Sequence, residues 1–205
     1  MLKKILLSLF IVSLFTLYGC GMKKFSQIDL PQKGEKIAVL NTASGVIKIR
    51  LFPDIAPKTV DNFIRLIEQK KYDNIIFHRI VSNFVIQSGD FENQDGTGGY
   101  SANGPGAEVQ DEINPQLKHI KGAVAMAKKG GANSFGSQFY ITLEATPFLD
   151  GDYTVFGQVF EGQDAIESIA KLPVDGIGRP TEIKNMKIVK AEQKALINQA
   201  TVVEY

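Results

Sequence analysis

Apolar positions along the chain change rhythm several times, and each change marks an element. After Lys3 and Lys4, residues 5–17 form an apolar run interrupted only by Ser8, Ser13 and Thr16. That run suits the hydrophobic region of a secretory signal and is too short to span a bilayer, which takes roughly 20 residues. Residues 21–36 show no sustained period and read as a polar tether. Two β-rich runs follow at 37–42 and 46–51, separated by Ala43-Ser44-Gly45. In the second, Ile47, Ile49 and Leu51 alternate with Lys48 and Arg50, so the pair predicts a hairpin with one buried face. Pro57 opens a helical pattern in which Val60, Phe63, Ile64 and Ile67 form one buried stripe. Further strands are predicted at 75–81, 84–87, 123–127, 138–143, 154–160 and 183–189, with a second short helix over 163–170. About eight strands and only two helices favour a mainly β fold, a closed antiparallel barrel capped by the helices. Residues 192–205 lie beyond the last convincing strand and are expected to be a tail without an assigned role.

Composition narrows the chemistry. The chain has 205 residues, with 23 Lys+Arg against 22 Asp+Glu. A hydrophobic content of 44% with 22% charged residues rules out wholesale disorder. The formal charge of +1 argues against a nucleic-acid partner, which selects for a basic excess. Two histidines and one cysteine are too few soft ligands for a structural zinc site, and no metal is expected. They also make a Cys/His nucleophilic enzyme improbable.

That cysteine closes the sequence Leu17-Tyr18-Gly19-Cys20. The arrangement resembles the lipobox of bacterial lipoproteins, with Tyr18 bulkier than the residue usual there. The resemblance implies removal of residues 1–19, lipidation of Cys20, and a membrane anchor followed by a tether over residues 20–35. A cell-envelope location follows. Gly21-Met22 after the cysteine, in place of an aspartate, favours the outer membrane or outer surface over the inner membrane. An ordinary signal peptide or an uncleaved anchor is the alternative.

Seven short motifs occupy the region from 36 to 191. They are Phe77-His78-Arg79-Ile80, Phe84-Val85-Ile86-Gln87-Ser88-Gly89-Asp90, Gly96-Thr97-Gly98-Gly99, Ala125-Met126-Ala127, Gly136-Ser137-Gln138-Phe139-Tyr140-Ile141, Phe148-Leu149-Asp150-Gly151 and Thr154-Val155-Phe156-Gly157. In this order they resemble the cyclophilin-type peptidyl-prolyl isomerases. The resemblance implies an eight-stranded barrel with a substrate groove on an outer face, acting on Xaa-Pro bonds without a cofactor. Such a bond rotates over a barrier of about 18–20 kcal/mol and needs no nucleophile or metal. It needs a hydrogen-bond donor at the proline nitrogen, whose lone pair becomes available only when amide resonance is lost. That donor favours the transition state over the substrate.

The resemblance places Arg79 as this catalytic donor and Gln87 beside it, holding substrate and arginine. It places Phe84, Val85, Tyr140 and Leu149 around the proline slot, with Phe148 and Tyr153 at its rim. The backbone of Ala127 and Lys128 would pair with an extended substrate. Taken alone, each of these apolar residues is a core residue and Arg79 a solvated one; the motif positions single them out. The glycines of 96–99 have neither the helix nor the Lys-Ser/Thr pair of a phosphate loop and are read as close-packing positions.

Val85, Tyr140, Phe148 and Tyr153 replace the methionine, phenylalanine, tryptophan and histidine of the best-known eukaryotic members. Without the indole at 148, cyclosporin binding is expected to be weak. Tyr140 brings a hydroxyl to the slot that needs a partner. His78 and His119 are read as structural, the first facing away from Arg79 by strand alternation and the second lying in a polar turn. The expected protein is a monomeric isomerase of exported polypeptides. A non-catalytic proline-peptide scaffold and a purely structural lipoprotein are the alternatives.

Overall fold

The computed structural model describes residues 25–131, 133–176, 178–179 and 195–205. Cys20 and the strand expected over 183–189 lie outside them. Strands β1 (Lys36–Thr42) and β2 (Gly45–Leu51) form the predicted hairpin. After them come helix α1 (Pro57–Glu68), β3 (Ile75–Ile76), β4 (Arg79–Val81), β5 (Val85–Ser88), β6 (Ala123–Lys128) and β7 (Phe135–Thr142). A 3-10 turn over Pro147–Leu149, β8 (Val155–Glu161), α2 (Gln163–Ala170) and β9 (Leu196–Glu204) complete the chain.

The strands make one antiparallel sheet in the order β3-β9-β1-β2-β8-β6-β7-β5-β4. The mainly β architecture with two helices is as expected. Among the described residues there are nine strands: the run over 75–81 changes partner midway and counts as two, and residues 196–204 add one. Ile75 and Ile76 pair with β9, the Phe77 N–H reaches Ala195 O at 3.0 Å, and Arg79–Val81 then pair with β5. The two terminal strands of the curled sheet are therefore consecutive in the chain.

Strand alternation divides the apolar residues into two clusters. Inside, Phe63 of α1 packs against Tyr72, Phe139 and Phe156 with ring centroids 4.9–5.3 Å apart. Leu66, fully buried, completes the α1 stripe where Ile64 was expected, and Ile64 is only partly covered. On the other face Val85, Ala125, Tyr140 and Val155 form a second cluster, joined at its edge by Phe84, Ala127, Leu149 and Tyr153. A one-residue step along β7 separates Tyr140 from the inner Phe139 and Ile141. Helix α1 starts after Ala56, which has no capping side chain. Glu112 serves instead, accepting the backbone N–H groups of Lys58 and Thr59 at 3.1 and 2.8 Å.

Both ends differ from the sequence reading. Residues 25–35, expected within the tether, lie on the domain. Arg50, expected on the solvent face of β2, is buried beneath them and donates to both Glu35 carboxylate oxygens at 3.0 and 3.1 Å and to Ser26 O and Asp29 O. A buried guanidinium must be paired, and this segment supplies the partners. Gln27, also buried, bonds Lys118 O and Gln158. At the other end, residues 196–204 of the expected tail form β9, inserted between β3 and β1 with Ile197 fully buried. Without it, the inward edge of β1 would be open. Among the described residues no helix is long and apolar enough to cross a membrane.

Candidate active site

Arg79 and Gln87 stand directly opposite each other on β4 and β5, so their side chains leave the sheet on the same face. The Arg79 Nη1 donates to Gln87 Oε1 at 3.3 Å. Gln87 Nε2 in turn donates to Gln138 Oε1 at 2.8 Å, and Gln138 Nε2 donates to the carbonyls of Gly96 and Gly98 at 2.9 and 2.8 Å. A chain of amides thus fixes the arginine to the 90–99 loop. The Arg79 guanidinium also lies 5.9 Å from the centre of the Phe84 ring. Among the described residues Gln87 is its only hydrogen-bond partner, and no carboxylate pairs with it. The half-buried guanidinium keeps its other N–H donors for a ligand.

The loop behind this chain is organised by Asp90. Its carboxylate accepts backbone N–H groups of Glu92, Asn93, Asp95, Gly96 and Gly98 at 2.9–3.2 Å. Burial would raise its pKa, but these hydrogen bonds, led by Asn93 and Gly98, hold it down at about 2. Glycine is required at Gly98, where a Cβ would come 2.5 Å from Asp90 Oδ1, and at Gly99, which has a φ of +88° and faces the Ser137 hydroxyl. The expected close packing is present, and its purpose is to let this loop fold around a carboxylate.

Beside Arg79 lies the apolar slot. Val85 and Tyr140 are its buried members, and Phe84, Leu149 and Tyr153 are half-buried around them. Phe148 is 69% exposed and stacks on Phe84, 5.7 Å between centroids. β6 extends past the last β8 pairing at Val155, which places Ala127 and Lys128 at an edge of the same face. The Lys128 side chain, expected to be incidental, makes an ion pair with Asp111 at 2.7 Å and lies 5.4 Å from the Tyr153 ring centre. The structure therefore brings Arg79, Gln87, Phe84, Val85, Ala127, Lys128, Tyr140, Phe148, Leu149 and Tyr153 to one outer face.

The structure adds one residue to the site and relocates another. Gln138 lay in plain view within the Gly136–Ile141 motif, but only its two amide contacts give it a role. His119, read as a structural residue in a polar turn, is structural but lies just past the turn. It is buried, with Nδ1 2.9 Å from Asp150 Oδ1 and Nε2 3.0 Å from the Tyr140 hydroxyl. The hydroxyl at Tyr140 thus has its partner. Burial lowers the His119 pKa despite the Asp150 contact, and raises that of Tyr140, so both are neutral at pH 7. His78 is buried as well, where Arg79 is not, in keeping with its opposite facing; burial lowers its pKa. Among the described residues no group of three or more His, Cys, Asp or Glu side chains is placed to hold a metal.

Residues 37–193 match the family described as "Cyclophilin type peptidyl-prolyl cis-trans isomerase/CLD". The "Peptidyl-prolyl cis-trans isomerase-like 1" of Gibberella zeae is 41% identical over 153 residues, covering 75% of this chain and 91% of that protein. "Peptidyl-prolyl cis-trans isomerase 9" of Schizosaccharomyces pombe is 43% identical over 157 residues, and there the chain spans only 25% of the relative's length. Among solved structures, a Cryptosporidium parvum cyclophilin-type isomerase superimposes with a TM-score of 0.73 at 31% identity, covering 83% of this chain and 98% of the other. It has also been solved in the presence of the dipeptide Ala-Pro, and that structure matches with a TM-score of 0.71. On the length of the match, its identity and the shared fold, the chain belongs to the cyclophilin-type peptidyl-prolyl cis-trans isomerase family.

Proposed function

We propose that Arg79 catalyses cis-trans isomerisation of Xaa-Pro bonds held across the Phe84–Val85–Tyr140–Leu149 slot. The observation that carries this reading is the Arg79 guanidinium, fixed by Gln87 and by no carboxylate, beside an apolar recess. With the ring seated in the slot, the residues before proline turn about the C–N bond. At the half-rotated stage the proline nitrogen is pyramidal and basic, and an Arg79 N–H donates to it. The planar substrate offers no such acceptor, so the bond forms where it lowers the barrier. A charged hydrogen bond contributes about 1.5–3 kcal/mol, or roughly 10–100-fold in rate. Ala127 and Lys128 at the β6 edge pair with the extended backbone. The Ala-Pro dipeptide named for the Cryptosporidium relative supports a proline-containing ligand.

The substrates on this reading are exported polypeptides in a bacterial envelope, and the protein is anchored through a lipidated Cys20. The supporting features are Lys3 and Lys4, the apolar run over 5–17 and the Leu17–Cys20 sequence. Because residues 25–35 are packed on the domain, only residues 21–24 separate Cys20 from it. Four residues reach about 14 Å at most, which keeps the domain close against the membrane.

The test is exchange NMR on a short Xaa-Pro peptide with the chain from Met22 onward. Fast exchange that falls about 100-fold in Arg79→Ala, with peptide affinity kept, supports the reading. Binding without acceleration in the wild type would make the domain a proline-peptide scaffold. For the anchor, mass spectrometry of the mature N-terminus finds acylated Cys20, or the lipoprotein reading fails.

A further inference from the structure

His119 touches three parts of the slot from behind. Its Nε2 meets the Tyr140 hydroxyl at 3.0 Å, on the strand that forms the slot floor. Its Nδ1 and its backbone N–H both meet Asp150 Oδ1, at 2.9 and 2.8 Å, directly after the turn that carries Phe148 and Leu149. Its carbonyl accepts the Thr146 N–H at 2.7 Å, at the start of that same turn. The Tyr140 and His119 rings are stacked 6.0 Å apart, with Tyr153 edge-on to both.

The direction of the protons follows from the partners. Asp150 is a carboxylate and can only accept, so Nδ1 carries the hydrogen. In the neutral ring Nε2 is then an acceptor, and the Tyr140 hydroxyl donates to it. We infer that His119 is a positioning residue for the proline slot: as neutral imidazole between Asp150 and Tyr140, it locks the floor ring to the rim turn. This goes one step beyond the isomerase reading and rests on it. Tyr140 cannot rotate without losing a buried hydrogen bond, and the rim turn cannot shift without pulling on the same imidazole.

Protonation would undo the arrangement. Nε2 would become a donor, and the Tyr140 proton would have to leave it. The charged and titratable groups facing His119 are Asp150, Lys118, Tyr140 and Tyr153, with Lys118 Nζ 3.5 Å from Asp150 Oδ2. Burial is the larger influence and, with Lys118, outweighs Asp150, keeping the ring neutral below its ordinary value of 6.5.

The full chain in detergent micelles, labelled with 15N-histidine, gives a direct test because it contains only two histidines. At pH 7 the His119 signals are expected to be those of a neutral ring protonated at Nδ1. A charged ring, or the Nε2–H form, would overturn the inference. The second arm is a cycle of His119→Leu, Tyr140→Phe and the double variant, read as kcat/KM for an Xaa-Pro peptide. His119→Leu strands the hydroxyl and is expected to lose about tenfold. The double variant is expected to recover most of that loss, since the stranded group is gone. A double variant as poor as the product of the two single effects would show that His119 acts only as packing. Should His119→Leu not fold, His119→Gln, which still offers an acceptor, replaces it and is expected to stay within a few-fold of wild type; a tenfold loss there would count against the idea. The wild-type rate should also fall as pH drops below 6.5, through the His119 transition, a limb that Tyr140→Phe lacks. An identical limb in both would place its origin elsewhere, as in His78. If the wild type binds peptide without turning it over, the isomerase reading fails alone, and the same cycle read as affinity decides the role of His119.

Discussion

Replacing Asp90 by asparagine would test how far the site depends on a loop built around one buried charge. The carboxylate accepts five backbone N–H groups, two at Oδ1 and three at Oδ2. Asparagine keeps the shape but turns one oxygen into an NH2 group facing donors, and removes the charge from the rest. The size of the effect follows from the lowered pKa. The carboxyl falls from an ordinary 3.8 to about 2, which corresponds to about 2.4 kcal/mol favouring the charged form in the folded chain. Discounting for solvent screening leaves about 1–2 kcal/mol. The folded-state value is the lower one, so this stability is fully present above pH 3.8 and is lost as pH falls toward 2.

Urea unfolding of wild type and Asp90→Asn at pH 7, 4 and 2.5 is the assay. At pH 7 the variant should be less stable by about 1–2 kcal/mol, and the gap should narrow at pH 2.5 as the wild-type carboxyl gains its proton. A site effect accompanies it. The carbonyls of Gly96 and Gly98 hold Gln138, which holds Gln87, which holds Arg79. Loosening the loop should therefore lower kcat/KM several-fold at a pH where the variant is still folded. Equal stability at pH 7, or a gap that does not change with pH, would refute the argument.

Two further outcomes follow from the packing. Ile197→Ala, at a fully buried position of β9, should cost about 2–4 kcal/mol in urea unfolding; a change under about 0.5 kcal/mol is what a surface tail would give and would remove β9 from the folded unit. Phe148→Trp places an indole N–H on the exposed rim and is expected to tighten cyclosporin about tenfold by calorimetry. Unchanged affinity would show that the residue at 148 does not set cyclosporin binding in this chain.

Much of this was legible because local pattern and global structure agree. The alternation over 46–51 gives β2, and the run over 163–170 becomes α2 with the same limits. Parity alone separates Arg79 from His78 and Tyr140 from Phe139. What stayed hidden depends on distant partners. Residues 25–35 have no period of their own, and their place comes from Arg50, which needs Glu35 and two carbonyls once buried. β9 is a weakly patterned stretch whose register comes from β1, more than 150 residues earlier. His119 looked like a turn residue because Tyr140 and Asp150 lie 21 and 31 positions away. The tyrosine at 140 raised the question of a partner; only the fold brings that partner within reach.

The arrangement of polar groups suits a reaction that breaks no bond. Nucleophilic or acid–base chemistry calls for a group shifted toward the working pH, poised to give or take a proton. Here the shifts run the other way: Asp90 is held charged, and His119 and Tyr140 are held neutral. At pH 7 each is held in one protonation state and serves geometry. Arg79 keeps N–H donors beyond the one given to Gln87. A site built this way offers a single directed hydrogen bond and otherwise a rigid shape, and what it can distinguish is a planar proline nitrogen from a pyramidal one. Loss of rigidity at Asp90 or His119 should therefore lower the rate while Arg79 itself is intact, whereas loss of Arg79 should cost about 100-fold in an otherwise well-formed groove.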